Sequence, residues 1–245
     1  MLMSVVERQS DVQVYPDLAG ARVLITGLLP ELGVDVARAF ADHKARLVVQ
    51  SPEDSPAMTE VAAMLSETAA EIKVFNEPFA TPDEAVSLVQ GVVQDLGGLD
   101  SLINIICLEP DGIARDASPS DVEDYVADKL LGAVLATRVA ANRMRLTLTE
   151  GSILNVVAVP GRPSASSAAL TDIAYATLAA MTRGEAKEWA DQGIRINAVG
   201  PRAANGSTPA SGADIAALAL YLASKKGRGL SGHMLDAGGT ATRRC

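Results

Sequence analysis

Seven short runs rich in β-branched and aliphatic residues punctuate the chain, with helical patterning between nearly every successive pair. The runs are Arg22–Thr26, Leu47–Val49, Ile72–Phe75, Ser101–Ile106, Ser152–Val157, Arg195–Val199 and His233–Leu235. Between them, apolar spacing and start or stop signals mark helices over Glu31–His43, Met58–Ala69, Asp83–Leu96, Ser120–Arg145, Ala165–Gln192 and Ala213–Ser224. A strand that returns to its own sheet through a helix lands parallel to its neighbour by a right-handed crossover. The pattern therefore predicts an α/β protein: a single Rossmann-type, doubly wound parallel sheet of about seven strands flanked by helices. Such sheets bind ligands beyond the carboxyl ends of their strands, where the strand order reverses.

The 245 residues suit one large α/β unit, read here as an extension over 1–17 and a single Rossmann-fold domain over 18–245. Hydrophobic residues make up 48% and aromatics only 3%, so the core must be Ala, Val, Leu and Ile, as doubly buried parallel strands require. With 21 Lys and Arg against 30 Asp and Glu, the net charge of −9 argues against nucleic acid as a partner. Cys107 and Cys245 make no disulfide framework, and His43 and His233 stand too far apart for a metal motif. Met1–Asp17 has no signal-peptide pattern, and no run approaches the ~20 apolar residues that span a bilayer. The expectation is a cytoplasmic protein without membrane contact.

Thr26-Gly27-Leu28-Leu29-Pro30-Glu31-Leu32-Gly33 follows a strand and opens a helix. It resembles the T-G-x-x-x-G-x-G turn of the short-chain dehydrogenase/reductase family, with Glu31 in place of the middle glycine. Further landmarks fall in the family's order. Leu102-Ile103-Asn104 resembles the strand leading to its N-N-A-G, and Gly151-Ser152-Ile153-Leu154-Asn155 its G-x-I-V-N. Gly193-Ile194-Arg195-Ile196-Asn197-Ala198-Val199-Gly200-Pro201 is similar to G-I-R-V-N-A-V-x-P, and Ser231 to Gly239 to the terminal S/T-G-to-D-G-G stretch. The resemblance runs from about Leu18 to Gly239 and is closest to the ketoacyl-reductase-like group. It implies an NAD(P)-dependent oxidoreductase, a dimer or tetramer, and an Asn-Ser-Tyr-Lys tetrad.

Carried over position by position, that tetrad is absent. The serine position is Ala158, the tyrosine position Thr171 and the lysine position Tyr175; counting from Asn155 and back from Gly193 gives the same register. The asparagine position, three residues before Gly132, is Lys129. An aliphatic hydroxyl has no pKa near neutrality, so Thr171 cannot replace a phenol as proton donor. Tyr175 is a phenol, yet one helical turn on stands Ala179 rather than a lysine.

The implied cofactor positions, Gly27, Leu28, Leu32, Gly33 and Asn104, are degraded by their surroundings. Ile106 and Cys107 stand where the family has Ala and Gly, Gln50-Ser51-Pro52 offers no ribose-binding acid or phosphate-binding arginine, and the adenine acid falls at Pro78-Phe79. The lid reduces to the twelve residues Pro201–Gly212. Each residue also has a plainer reading. Cys107 is a small buried hydrophobe, Lys129 a solvated helix cation, and Glu31 a helix cap. Asn104, Asn155 and Asn197 bond neighbouring segments.

Three expectations follow. The first is a catalytically degenerate family member, a non-catalytic subunit or binder of some small molecule, with no tightly bound cofactor and no metal; the alternative is an active NAD(P)-dependent oxidoreductase with an unorthodox site. The second is a homodimer, a tetramer or a hetero-oligomer with an intact relative. It would form through the two long helices, where Ala133, Ala136, Ala140, Ala174 and Ala179 allow close approach. The third sets the Tyr175 hydroxyl within reach of the Lys129 ammonium, with Lys129 in solvent and Tyr175 as filler the alternative.

Overall fold

A computed structural model describes residues 14–78, 81–114, 117–160, 165–201 and 211–236. Its strands are β1 (Arg22–Thr26), β2 (Arg46–Ser51), β3 (Glu71–Asn76), β4 (Ser101–Cys107), β5 (Ser152–Ala158), β6 (Arg195–Gly200) and β7 (Met234–Asp236). They form one parallel sheet in the order β3-β2-β1-β4-β5-β6-β7. The chain builds outward from β1 to β3 and then crosses back to β4, so the order reverses between β1 and β4.

Alternating residues of each strand serve opposite layers, as period-two side chains must. Val23, Ile25, Leu47 and Val49 face α1 (Val34–Asp42), α2 (Pro56–Ser66) and α6 (Gly212–Ala223), with Phe40 fully buried among them. Leu24, Val48, Leu102 and Ile153 face α3 (Pro82–Leu96), α4 (Pro119–Leu146) and α5 (Ala165–Trp189). Each such Val, Leu or Ile contributes about 1.5–3 kcal/mol by leaving water. Among the described residues, no helix is long and apolar enough to cross a membrane, and no group of three or more His, Cys, Asp or Glu could hold a metal.

Four local expectations need correction. α1 begins at Val34, not Glu31, because Leu29 and Leu32 first pair with each other across a tight turn. α4 is capped by Ser118, whose hydroxyl accepts from the Asp121 N–H, and Pro119 occupies the first helical position, so Ser120 lies inside the helix. Tyr15, assigned to the extension, is 3% exposed in the core, and Asp17 accepts the Lys225 N–H at 2.6 Å. Ala136, Ala140, Ala174 and Ala179 are buried within the chain itself, so they pack this domain rather than offer a surface to a second copy. Residues 1–13, Phe79, the stretch 202–210 of the lid, Gly238-Gly239 and Cys245 lie outside the described residues.

Candidate functional site

At the switch point between β1 and β4 the carboxyl ends of the strands open into a cleft of about 420 Å3. Gly27 begins the turn after β1 with φ +72°, and a Cβ there would collide with the Ile105 carbonyl oxygen, so only glycine fits. Its N–H donates to Gln50 Oε1 at 2.8 Å, the next N–H, of Leu28, donates to the Gln50 carbonyl at 3.0 Å, and Gln50 Nε2 donates to the Glu77 carbonyl at 2.7 Å. Gln50 is 1% exposed. It is a buried strut joining the turn after β1 to the exit of β3.

The rest of the turn closes on itself. The Leu29 and Leu32 N–H groups each donate to the other's carbonyl, at 3.1 and 3.0 Å, leaving Pro30 and Glu31 at the tip. Glu31 is exposed and does not cap α1: Gly33, at φ +87°, is the cap residue and the helix has no side-chain cap bond. Leu28 is fully buried in the core, and the Ile105 side chain packs against Gly33.

Thr26, Asn104 and Asn155 fall in one row across the sheet, because β1, β4 and β5 pair in that register. Their side chains bond one another. Thr26 Oγ1 donates to Asn104 Oδ1 at 2.8 Å; Asn104 Nδ2 donates to Asn155 Oδ1 at 2.7 Å, and also approaches Thr137 Oγ1 at 3.2 Å and the Ala133 carbonyl at 3.3 Å. All four polar side chains are at most 6% exposed. Asn104, a cofactor position by resemblance, thus holds β1, β4, β5 and α4 together. Asn197 does the same for β6 and the chain entering β7, donating to the Leu230 carbonyl and accepting from the His233 N–H.

The four tetrad positions have separate surroundings. Ala158 ends β5 and its carbonyl accepts the Leu108 N–H at 2.9 Å. Thr171 is 7% exposed, and its hydroxyl donates within its own helix to the Ser167 carbonyl at 2.6 Å. The Tyr175 hydroxyl donates to the Met234 carbonyl at 3.4 Å. Lys129 is exposed and its ammonium lies 5.5 Å from the centroid of the Tyr125 ring. The structure therefore gives Lys129 and Tyr175 partners other than each other. Cys107 lies opposite Ala158, half-buried. Burial, chiefly, and the charges of Glu109 and Glu31 push its thiol up against the opposing pull of Lys129, so it stays protonated at neutral pH.

Two residues escaped the sequence reading. Tyr125 brackets the chain leaving β4: its hydroxyl accepts the Glu109 N–H at 3.1 Å and donates to the Glu109 carbonyl at 3.2 Å. The signal was its spacing, since Tyr125 and Lys129 lie one helical turn apart on α4. Burial, chiefly, pushes the Tyr125 phenol up. Gln50 is the second; its sequence environment does not foretell a bond to Glu77, 27 residues on.

The sequence profile of the short chain dehydrogenase family matches residues 21–218. Among curated proteins, momilactone A synthase of Oryza sativa is 31% identical, with 91% of this chain and 90% of that one aligned. A 3-oxoacyl-[acyl-carrier-protein] reductase of Synechocystis is 26% identical over 73% of this chain and 72% of that one. Solved structures agree in fold. A short-chain type dehydrogenase/reductase from Mycobacterium marinum superposes with a TM-score of 0.71 at 23% identity, covering 94% of this chain and 98% of that one. The NADH-dependent reductase A1-R', complexed with NAD, superposes at 0.72 and 21% identity, covering 91% and 97%.

Proposed function

The chain belongs to the short-chain dehydrogenase family, on its ketoacyl-reductase-like side, and from that premise we propose that it is a catalytically degenerate member, a non-catalytic subunit or small-molecule binder. The observation that supports this reading is the commitment of the polar groups at the carboxyl edge. Carbonyl reduction needs a proton donor that titrates near the working pH, placed against the substrate oxygen. Thr171 cannot titrate there and its hydroxyl is bonded to its own helix. Tyr175 has Ala179 where a lysine would lower its pKa, and Ala158 has no polar side chain.

The residues present do not fit a dinucleotide. Gln50 holds the Gly27 N–H and Leu29 holds the Leu32 N–H, two backbone donors of the turn. Glu31 sets a negative charge at the tip, which opposes a pyrophosphate. Ile106 and Cys107 add bulk at the end of β4, and Asn104 is bonded inward. Assembly as a homodimer, a tetramer or a hetero-oligomer with an intact relative belongs to the same proposal. The outer faces of α4 and α5 would carry it, including Leu131, which is 44% exposed.

Turnover tests the proposal. Purified protein mixed with NADH or NADPH and a panel of ketones, aldehydes and β-ketoacyl thioesters is expected to leave the nicotinamide absorbance unchanged. Turnover that survives purification and falls with Tyr175→Phe would favour the second reading, an active NAD(P)-dependent oxidoreductase with an unorthodox site. The names of the relatives, reductases and synthases, support that second reading.

A further inference from the structure

At the opposite edge of the sheet, beneath the starts of β1, β4 and β6, lies a second cleft of about 940 Å3. Ligand pockets span about 300–1,000 Å3, so it has room for a whole small molecule. Its walls are the last turns of α5, the turn Lys225–Gly229 and the segment entering β1. Arg183, Lys187, Arg195, Lys225 and Arg228 line it, with Asp17, Asp100 and Glu150 as the carboxylates. A surplus of cations is unexpected on a chain of net charge −9.

The carboxylates are already engaged. Asp100 takes a bidentate bond from Arg22, at 2.9 and 2.7 Å, Glu150 pairs with Arg228 at 3.2 Å, and Asp17 accepts the Lys225 backbone N–H. Among the described residues, no carboxylate lies within ion-pair distance of Arg183, Lys187 or the Lys225 ammonium. Arg195 is half-buried. Both hydrogens of its Nη1 go to neutral carbonyls, Leu222 at 2.6 Å and Gly227 at 2.9 Å, while Nε and Nη2 have no partner among the described residues. Burial and the neighbouring Arg228 both pull Arg195 below its ordinary value, against the charge of Glu150. It is a half-buried cation with no carboxylate within ion-pair distance among the described residues.

We propose that this groove binds a small molecule carrying clustered phosphate groups. The cations reach it from three elements, α5, β6 and the turn after α6, so donors converge from several directions. A planar carboxylate is matched by one guanidinium fork, whereas the oxygens of linked phosphates radiate and accept from separate Arg and Lys groups at once. The site is independent of the carboxyl-edge cleft and of whether that cleft retains activity.

Titration calorimetry with tripolyphosphate at low ionic strength, where screening is weak, tests it. One saturable site per chain is expected. The Arg183→Glu/Lys187→Glu variant, altered only on an exposed helix face, should bind at least about tenfold more weakly, which is a loss of ~1.4 kcal/mol. Arg38→Glu, exposed on α1 and outside the groove, should bind as the parent does. Absence of saturable binding, equal weakening by Arg38→Glu, or citrate binding as tightly as tripolyphosphate would each overturn the proposal.

Discussion

At the carboxyl edge of the sheet, the buried polar side chains Thr26, Gln50 and Asn104 under the cleft are bonded to other groups of the protein; at the amino edge, five cations line a larger groove beside three carboxylates. The three buried side-chain polar atoms without partners among the described residues, His43 Nε2, Asn76 Oδ1 and Thr182 Oγ1, line neither cleft. One edge thus resembles a sheet interior, where unpaired polar groups are costly, and the other resembles a surface still able to gain from a ligand. A fold places a ligand site where its strands end, but whether the site persists depends on which donors remain uncommitted there. On the function proposed above, the chain keeps the strands of the family scaffold while its carboxyl-edge cleft serves as framework.

Perturbing the framework should break the comparison most sharply. Asn104→Ala removes the centre of the Thr26–Asn104–Asn155–Thr137 network and leaves several buried groups unpaired. Urea denaturation should register a loss of about 3–4 kcal/mol; a loss below ~1 kcal/mol would mean that the network is not structural. Gly27→Ala forces a side chain at φ +72° into the Ile105 carbonyl and should lose about 2–3 kcal/mol by the same measurement. Gln50→Ala should lose about 1–2 kcal/mol, the worth of two hydrogen bonds with neutral partners. It should also leave nicotinamide binding absent, since Glu31, Ile106 and Cys107 remain.

The smallest effect concerns acid. Burial pushes Asp100 up, but its bonds to Arg22 outweigh this and hold the carboxyl below its ordinary value. The folded value is the lower one, so the stability from this pair is present above the unfolded carboxyl value of ~4 and lost as pH falls through the folded value. Thermal unfolding should therefore lose this contribution only below about pH 4, and Arg22→Ala should flatten that part of the profile by about 1 kcal/mol or less, because the pair is partly exposed. An unchanged acid limb in Arg22→Ala would show that the amino-edge carboxylates are less engaged than described.

The strands were legible because β-branched runs ending in Gly or Pro have few other uses in a doubly wound sheet. The start of α1 was not, because Leu32 keeps helical step with Val36, Ala39 and Phe40 while actually closing a tight turn with Leu29. Ser118 and Ser120 both flank Pro119, and only the preference of proline for the first helical position separates them. The residues at the tetrad positions were assigned by resemblance alone, as Lys129, Ala158, Thr171 and Tyr175. The strut Gln50 and the amino-edge groove were not, because both depend on long-range contacts: the cations of the groove span 183 to 228 and their local surplus is hidden within a net charge of −9.

The central claim, that the carboxyl-edge cleft has become framework, is tested most directly by titrating the intact protein with NADH and NADPH while following nicotinamide fluorescence and thermal unfolding together. The account predicts no fluorescence enhancement and no shift in unfolding at concentrations that saturate active relatives. A saturable signal with a dissociation constant in the low micromolar range, accompanied at 100-fold excess by about 2.7 kcal/mol of stabilisation, would contradict it.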